Sequence, residues 1–331
     1  MIRMTQKIAV IGAGGWGTTL ANMIADNGHP VHLWVREPEL KAEIEKKRQN
    51  SIYLPSVVLS KGIMPSTDLK KVAEDAAILI MAVPSKFVRE MARKIRPLLT
   101  VKGAIVISVA KGLEHNTYRT MSQVLEEELP GARVIALSGP NHCEEVSRKM
   151  PTATVIAGRD KKALENVKKI LDNDYFKVYL LDDRTGIEIC GAIKNITAIA
   201  AGIVDGLKYG DNTRASIITL GLTEMARFGR AFGTKRATFY GLAGVGDLIA
   251  TATSKHSRNH FVGEKIAEGK KLESIQKEMH GMVAEGVYTV KSAYEFSLKH
   301  NIDMPLTTQV YKLLYEGKSL DKAISDLLKC I

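Results

Sequence analysis

The chain is 331 residues long, 45% hydrophobic and 25% charged, the balance of a soluble globular protein with length for two ordinary domains. Its formal net charge is +11, but lysine and arginine are scattered among aspartate and glutamate, which argues against a nucleic-acid partner and for a diffuse field that attracts small anions. Cys143, Cys190 and Cys330 are far apart and odd in number, so neither a disulfide framework nor a zinc site is expected, and no metal is predicted.

Met1 to Gln6 carry no apolar signal core before the first strand. Charges are expected to interrupt every apolar stretch before it reaches the length of a membrane span. A cytoplasmic protein without direct membrane binding is the expectation. Lys7-Ile8-Ala9-Val10-Ile11 reads as a buried strand, followed by a Gly-rich turn and a helix from about Trp16 to Ala25, which Asn27-Gly28 stops. Further strands are Val31 to Val35, Ala77 to Val83, Ala104 to Ser108 and Val134 to Leu137. All are almost continuously apolar, as parallel strands covered by helices on both faces must be. Strands alternating with helices predict an α/β fold with an N-terminal Rossmann-type doubly wound sheet. Strand-like pieces persist between Pro151 and Tyr179, but from Thr185 onward the periods are helical, beginning with a long apolar helix from Ile187 to Gly206. The boundary is placed within residues 183–188, giving a dinucleotide-binding domain over 1–185 and an all-helical substrate domain over 186–331.

Gly12-Ala13-Gly14-Gly15-Trp16-Gly17 matches Gly-x-Gly-x-x-Gly directly after a strand and at the opening of a helix. The first glycine permits the tight turn, the second lets backbone approach a pyrophosphate, and the third allows helix to pack closely on sheet. The helix N-terminus then offers N–H groups to phosphates. A nicotinamide dinucleotide fits this pattern, with a flavin as the alternative. At the end of the second strand Arg36 stands where NAD-specific folds carry an acid, so the sequence leans to NADP, while the adjacent Glu37 keeps NAD open.

Polar motifs follow later strands: Val83-Pro84-Ser85, Lys111-Gly112 and Ser138-Gly139-Pro140-Asn141. Lys111 by position alone reads equally well as a surface lysine. Lys194 is different, because it lies within the apolar helix. Burial there lowers its pKa and makes it a candidate acid–base group, against the alternative of a side chain that snorkels to water. Gly241 to Leu248 is a second Gly-rich segment without a preceding strand. Ser257-Arg258-Asn259 groups donors suited to a phosphate.

Taken in order, Gly12 to Ala21, Ala82 to Ser85, Lys111 to Glu114, Ser138-Gly139-Pro140, Lys194-Asn195, Gly244 to Leu248, Ser257-Arg258-Asn259 and Val283 to Gly286 resemble bacterial NAD(P)-dependent glycerol-3-phosphate dehydrogenase. The match runs along nearly the whole chain. The resemblance implies reduction of dihydroxyacetone phosphate to sn-glycerol 3-phosphate, a precursor of glycerophospholipids, with NADP or NAD. It implies that Gly12, Gly14, Gly15, Trp16, Gly17, Arg36, Lys111, Cys143, Arg258, Val283 and Glu285 contact the dinucleotide. Lys194 would be the proton acceptor, and Lys111, Gly139, Asn141, Asn195, Asp247, Ser257, Arg258 and Asn259 would surround the substrate. Asn141-His142-Cys143 departs from the family pattern, which puts the contacts of Asn141 and Cys143 in doubt. A homodimer is compatible with this reading. The rivals are a β-hydroxyacid or sugar-acid phosphate dehydrogenase, and a non-catalytic dinucleotide sensor that would not need Lys194.

Overall fold

A computed structural model describes residues 6–279 and 282–328; Met1 to Thr5 and Cys330 lie outside them. The chain forms two compact units, and the division is not one cut. Unit 1 takes residues up to Ala110 with Met121–Leu137 and Asn141–Arg184, while unit 2 takes Lys111–Thr120, Ser138–Pro140 and Thr185 onward.

Unit 1 is built on one eight-stranded sheet. Its strands are β1 (Ile8–Ile11), β2 (Val31–Trp34), β3 (Ile63–Ser66), β4 (Ile78–Met81), β5 (Ile105–Ser108), β6 (Arg133–Ser138), β7 (Thr152–Gly158) and β8 (Phe176–Leu181), in the spatial order 3-2-1-4-5-6-7-8. β1 pairs in parallel with β2 on one side and β4 on the other. The β2–β3, β4–β5, β5–β6 and β7–β8 pairs are parallel as well. The helices of the unit are α1 (Gly15–Asp26), α2 (Pro38–Lys47), α3 (Leu69–Ala73), α4 (Val88–Ile95), α5 (Met121–Glu128), α6 (Cys143–Val146) and α7 (Lys161–Leu171).

The continuous apolar runs have a direct cause. Ile8, Val10, Ile78, Ile80, Ile105 and Ile107 point into one buried cluster, while Ala9, Ile11, Leu79, Met81 and Val106 point into another on the opposite face. Successive side chains of a strand face opposite ways, so a sheet covered on both sides demands apolar residues at every position. The doubly wound α/β expectation is met. The order reverses between β1 and β4, the switch point at whose carboxyl end such sheets bind ligands. Gly28, with φ +89°, ends α1 as the sequence predicts.

Unit 2 is helical: α8 (Arg184–Gly206), α9 (Asp211–Arg230), α10 (Arg236–Phe239), α11 (Asp247–Thr253), α12 (Arg258–Ala267), α13 (Leu272–Glu278), α14 (Glu285–Lys299), α15 (Pro305–Tyr315) and α16 (Leu320–Leu328). One expectation is corrected here. α8 is long and apolar enough to cross a membrane by length and composition, and charges do not interrupt it sufficiently to fail that test; its apolar window is, however, wholly buried in the protein. Around it helices pack with backbone almost in contact. A Cβ on Gly202 would fall 2.0 Å from the His260 carbonyl oxygen, and one on Gly263 would fall 2.0 Å from that of Ile199, so α8 and α12 can cross only at glycines.

Candidate active site

In unit 1 the turn after β1 has the geometry its glycines predict. Gly12 has φ +114°, and a Cβ there would lie 2.8 Å from the Ala82 carbonyl oxygen at the end of β4. A Cβ on Gly17 would sit 2.0 Å from the Gly12 carbonyl oxygen, which accounts for the close seat of α1 on the sheet. A Cβ on Gly14, by contrast, would meet no heavy atom within 4 Å. Two glycines are therefore required by the protein's own packing, and the third faces open space at the start of a helix. No side chain caps that helix start, where the first N–H groups have no intrahelical acceptor. These are the requirements of a pyrophosphate cradle, and the residues present fit a dinucleotide.

The cradle has neighbours the sequence only partly indicated. Cys143, at the start of α6, brings its Sγ to 2.8 Å from where a Gly15 Cβ would stand, and the Tyr53 carbonyl oxygen is equally close. The Trp16 ring packs against Phe176 at 6.4 Å between centroids, and its indole N–H is buried without an acceptor among the described residues. Arg36 follows β2 with its side chain 70% exposed and its guanidinium on the Glu37 carboxylate, at 2.5 Å from Nη2 and 3.0 Å from Nε. The Glu37 hydrogen bond leads in raising the Arg36 pKa. Glu37 also accepts from the Tyr53 hydroxyl at 3.4 Å. Tyr53 was not found from the sequence, since nothing in residues 50–54 signals a ligand. Asn141 donates to the Thr154 hydroxyl at 2.7 Å within unit 1.

Unit 2 holds a cluster of charges in its interior. Lys194, in the middle of α8, is 4% exposed and Asp247, the first residue of α11, is 1% exposed. Lys194 Nζ donates to Asp247 Oδ1 and, at 2.5 Å, to the Thr251 hydroxyl. Lys111 Nζ donates to the other oxygen of the same carboxylate at 2.8 Å and to the Gly139 carbonyl at 2.9 Å. Gly191, one turn before Lys194, makes room for this: a Cβ there would press within 3.3 Å of Lys111 Cγ. Two lysine nitrogens thus share one carboxylate, and with Lys194 protonated the cluster carries a net charge of +1.

The titration behaviour follows from burial. Desolvation lowers the pKa of Lys194, Asp247 raises it, Lys111 lowers it again, and the outcome is about 7. Burial pushes the Asp247 carboxyl up, but the ammonium groups of Lys111 and Lys194 outweigh it and hold it below the usual carboxylate range. A lysine poised between protonation states near neutral pH can give and take protons.

The remaining candidates sit near this cluster in unit 2. Asn195 donates to the carbonyls of Lys111 and Gly191, each at 3.1 Å, and accepts from Asn259 at 2.9 Å. Asn259 in turn accepts the Gly286 N–H at 2.9 Å, at the start of α14 beside Glu285 and three residues beyond Val283. The Asn195 amide is fully engaged in protein hydrogen bonds, so it holds Lys111 and Asn259 in place. Ser257 accepts the His260 N–H at 3.2 Å as the N-cap of α12. Arg258 is exposed at the first position of that helix, where the helix dipole also favours an anion. Thr251 was missed in the sequence because a threonine four residues along a helix from an aspartate gives no signal of its own.

Comparison with known proteins identifies the family of both units. Residues 7–164 match the NAD-dependent glycerol-3-phosphate dehydrogenase N-terminus and residues 183–325 match the corresponding C-terminus. The chain is 45% identical over 330 residues to a glycerol-3-phosphate dehydrogenase [NAD(P)+] of Limosilactobacillus reuteri, covering 98% of this chain and 97% of that protein. It is 43% identical over 326 residues to the Bacillus subtilis protein of the same name, covering 98% and 94%. Among solved structures, glycerol-3-phosphate dehydrogenase from Coxiella burnetii superimposes with a TM-score of 0.94 at 37% identity, covering 98% of this chain and 99% of that one. On the strength of these matches over both units, the chain belongs to the NAD-dependent glycerol-3-phosphate dehydrogenase family.

Proposed function

We propose that this chain reduces dihydroxyacetone phosphate to sn-glycerol 3-phosphate, and catalyses the reverse oxidation, with Lys194 as its acid–base group. The observation that carries the reading is the buried Lys194, bonded to Asp247 and Thr251, with a pKa lowered to about 7. Bound NADPH or NADH supplies the hydride that reduces the C2 carbonyl carbon. As the carbonyl π electrons move to oxygen, the Lys194 ammonium gives that oxygen a proton and is left neutral. In the oxidative direction neutral Lys194 takes the hydroxyl proton. Lys111, through its contact with Asp247, keeps the carboxylate ionised and leaves a net positive cluster that stabilises the developing alkoxide. Asn195 holds the Lys111 backbone, and Arg258 at the start of α12 binds the substrate phosphate.

The same proposal makes this a cytoplasmic enzyme that supplies glycerophospholipid synthesis without binding membranes itself; a homodimer is compatible with it. The test is dihydroxyacetone phosphate-dependent oxidation of NADPH or NADH by the purified protein, repeated with Lys194→Met. The variant should bind dinucleotide nearly as wild type and lose about 10²- to 10⁴-fold in turnover, the range for a lost general acid. Wild-type turnover in Lys194→Met would remove the lysine from the mechanism, and no turnover in the wild type would remove the activity.

A further inference from the structure

Asn50 and Thr18, neither of which lies in the Gly-x-Gly-x-x-Gly motif, share one buried hydrogen-bond triangle with the turn. Both side chains are wholly buried in unit 1. Asn50 Nδ2 donates to the Ala13 carbonyl oxygen at 2.9 Å and to Thr18 Oγ1 at 2.8 Å, and Thr18 Oγ1 donates to the same Ala13 oxygen at 3.1 Å. Every hydrogen of the Asn50 amide is used, and the Ala13 carbonyl receives two donors.

We infer that Asn50 and Thr18 are positioning residues for dinucleotide binding, which set the direction of the Gly14 N–H by anchoring the carbonyl on the other side of its peptide bond. The argument rests on the dinucleotide reading given above. In a planar trans peptide the C=O and N–H point in opposite directions, and none of the described peptide bonds is cis. Fixing the Ala13 oxygen toward the interior therefore turns the Gly14 N–H outward, on the residue whose missing Cβ opens onto empty space. A peptide with an unanchored carbonyl could rotate as a plane, and an N–H turned away from a phosphate contributes nothing to binding it. The remaining acceptor of Asn50 serves the same site. Its Oδ1 accepts the Tyr53 N–H at 3.0 Å, and so holds the turn that brings the Tyr53 carbonyl against Gly15 and its hydroxyl to Glu37. One buried amide thus orders the phosphate turn and the loop beside it.

The test separates positioning from general support of the fold. Thr18→Val removes the hydroxyl at nearly constant volume, Thr18→Ser keeps it, and Asn50→Ala removes the amide. Dissociation constants for NADPH and NADH, kcat at saturating dinucleotide and KM for dihydroxyacetone phosphate are measured in each. Thr18→Val and Asn50→Ala should weaken dinucleotide binding by about tenfold to a hundredfold, the worth of one hydrogen bond to a charged group, and leave the KM for dihydroxyacetone phosphate nearly unchanged. Thr18→Ser should restore binding. The inference is overturned if Thr18→Val binds dinucleotide as wild type does. It is overturned equally if Thr18→Ser is as impaired as Thr18→Val, or if the substrate KM rises in step with the dinucleotide constant. Wild-type protein that binds neither dinucleotide would overturn the parent reading, and this one with it.

Discussion

Lys194 donates a hydrogen bond to Asp247 at a point where both side chains are buried, with the Lys111 side-chain nitrogen on the second carboxylate oxygen. Burial drives the Lys194 pKa down from 10.5, and Asp247 pulls it partway back, to about 7. The reduction needs the ammonium and the oxidation needs the free amine. Reductive kcat should hold at lower pH and fall as pH rises through about 7, while oxidative kcat rises over the same interval. Asp247→Asn removes the group that raises the pKa, so both limbs should move to lower pH. It also breaks the buried ion pair with Lys194 and removes the counter-charge of Lys111, a loss of about 3–5 kcal/mol in stability. Paired pH profiles and urea unfolding measure the two effects separately. Limbs that stay in place in Asp247→Asn would mean the titrating group is not Lys194.

Cofactor preference turns on the neighbours Arg36 and Glu37. The guanidinium would pair with an adenosine 2′-phosphate, but in the structure it is held by Glu37. A 2′-phosphate has to compete with that carboxylate, while an adenosine 2′-hydroxyl can use Glu37 as its acceptor. Wild type should accept both dinucleotides, NADPH at least as well as NADH. Glu37→Gln should shift the kcat/KM ratio further toward NADPH, and Arg36→Asp should reverse it. A wild type that ignores NADPH, or a Glu37→Gln variant that shifts toward NADH, would show that these two residues do not read the 2′-position.

Away from the cluster, Glu224 of α9 is buried and accepts the N–H groups of Leu306 and Thr307, the latter at 3.1 Å, and the Thr307 hydroxyl at 2.7 Å. It closes the first turn of α15. Burial raises its pKa from 4.5 to about 7, against the pull of these donors. Folded protein therefore keeps a proton that the unfolded chain gives up. Stability should fall as pH rises from about 4.5 to 7, and the loss persists above that window. Glu224→Ala should cost about 1–3 kcal/mol by leaving buried donors unsatisfied, and should flatten the slope within that window. Denaturant unfolding across that pH range measures both. An unchanged slope would assign the pH dependence elsewhere.

How much of this could be read beforehand depended on where each residue stands. Strands β1, β4 and β5 are central, covered on both faces, and therefore legible as runs of four buried side chains, all apolar except Ser108 at the end of β5. β3 and β8 close the two edges of the sheet. β3 contains Pro65, tolerable only where a ladder hydrogen bond is dispensable, and β8 alternates buried Phe176 and Val178 with exposed Lys177 and Tyr179. Neither carries the continuous signature, so the sequence does not predict β3 and shows β8 only within the strand-like pieces between Pro151 and Tyr179. Within the candidate site, Lys194 is legible because a charge in the middle of an apolar helix needs a reason. Thr251 and Asn50 are not, because their meaning comes from contacts with residues 57 and 37 positions away.

The substrate phosphate is the remaining group to place, and Arg258 is the residue proposed for it. Arg258 is exposed at the first position of α12, whose N-cap Ser257 is already spent on the His260 N–H and whose next residue, Asn259, is tied to Asn195 and Gly286. Of the Ser-Arg-Asn triplet, the guanidinium is thus the group left to meet a ligand, with the helix dipole aiding it. A bidentate hold on the phosphate also fixes the carbonyl for hydride transfer. Losing one partner of a desolvated charge pair costs about 2–5 kcal/mol, or roughly thirtyfold to a few thousandfold in kcat/KM. Arg258→Leu should therefore nearly abolish use of dihydroxyacetone phosphate. Unphosphorylated dihydroxyacetone should be a very poor substrate for both forms and should be affected little. The measurement is kcat/KM for both substrates in both proteins. Equal proportional losses on the two would mean that Arg258 serves the cofactor or the fold, and the phosphate would need another partner.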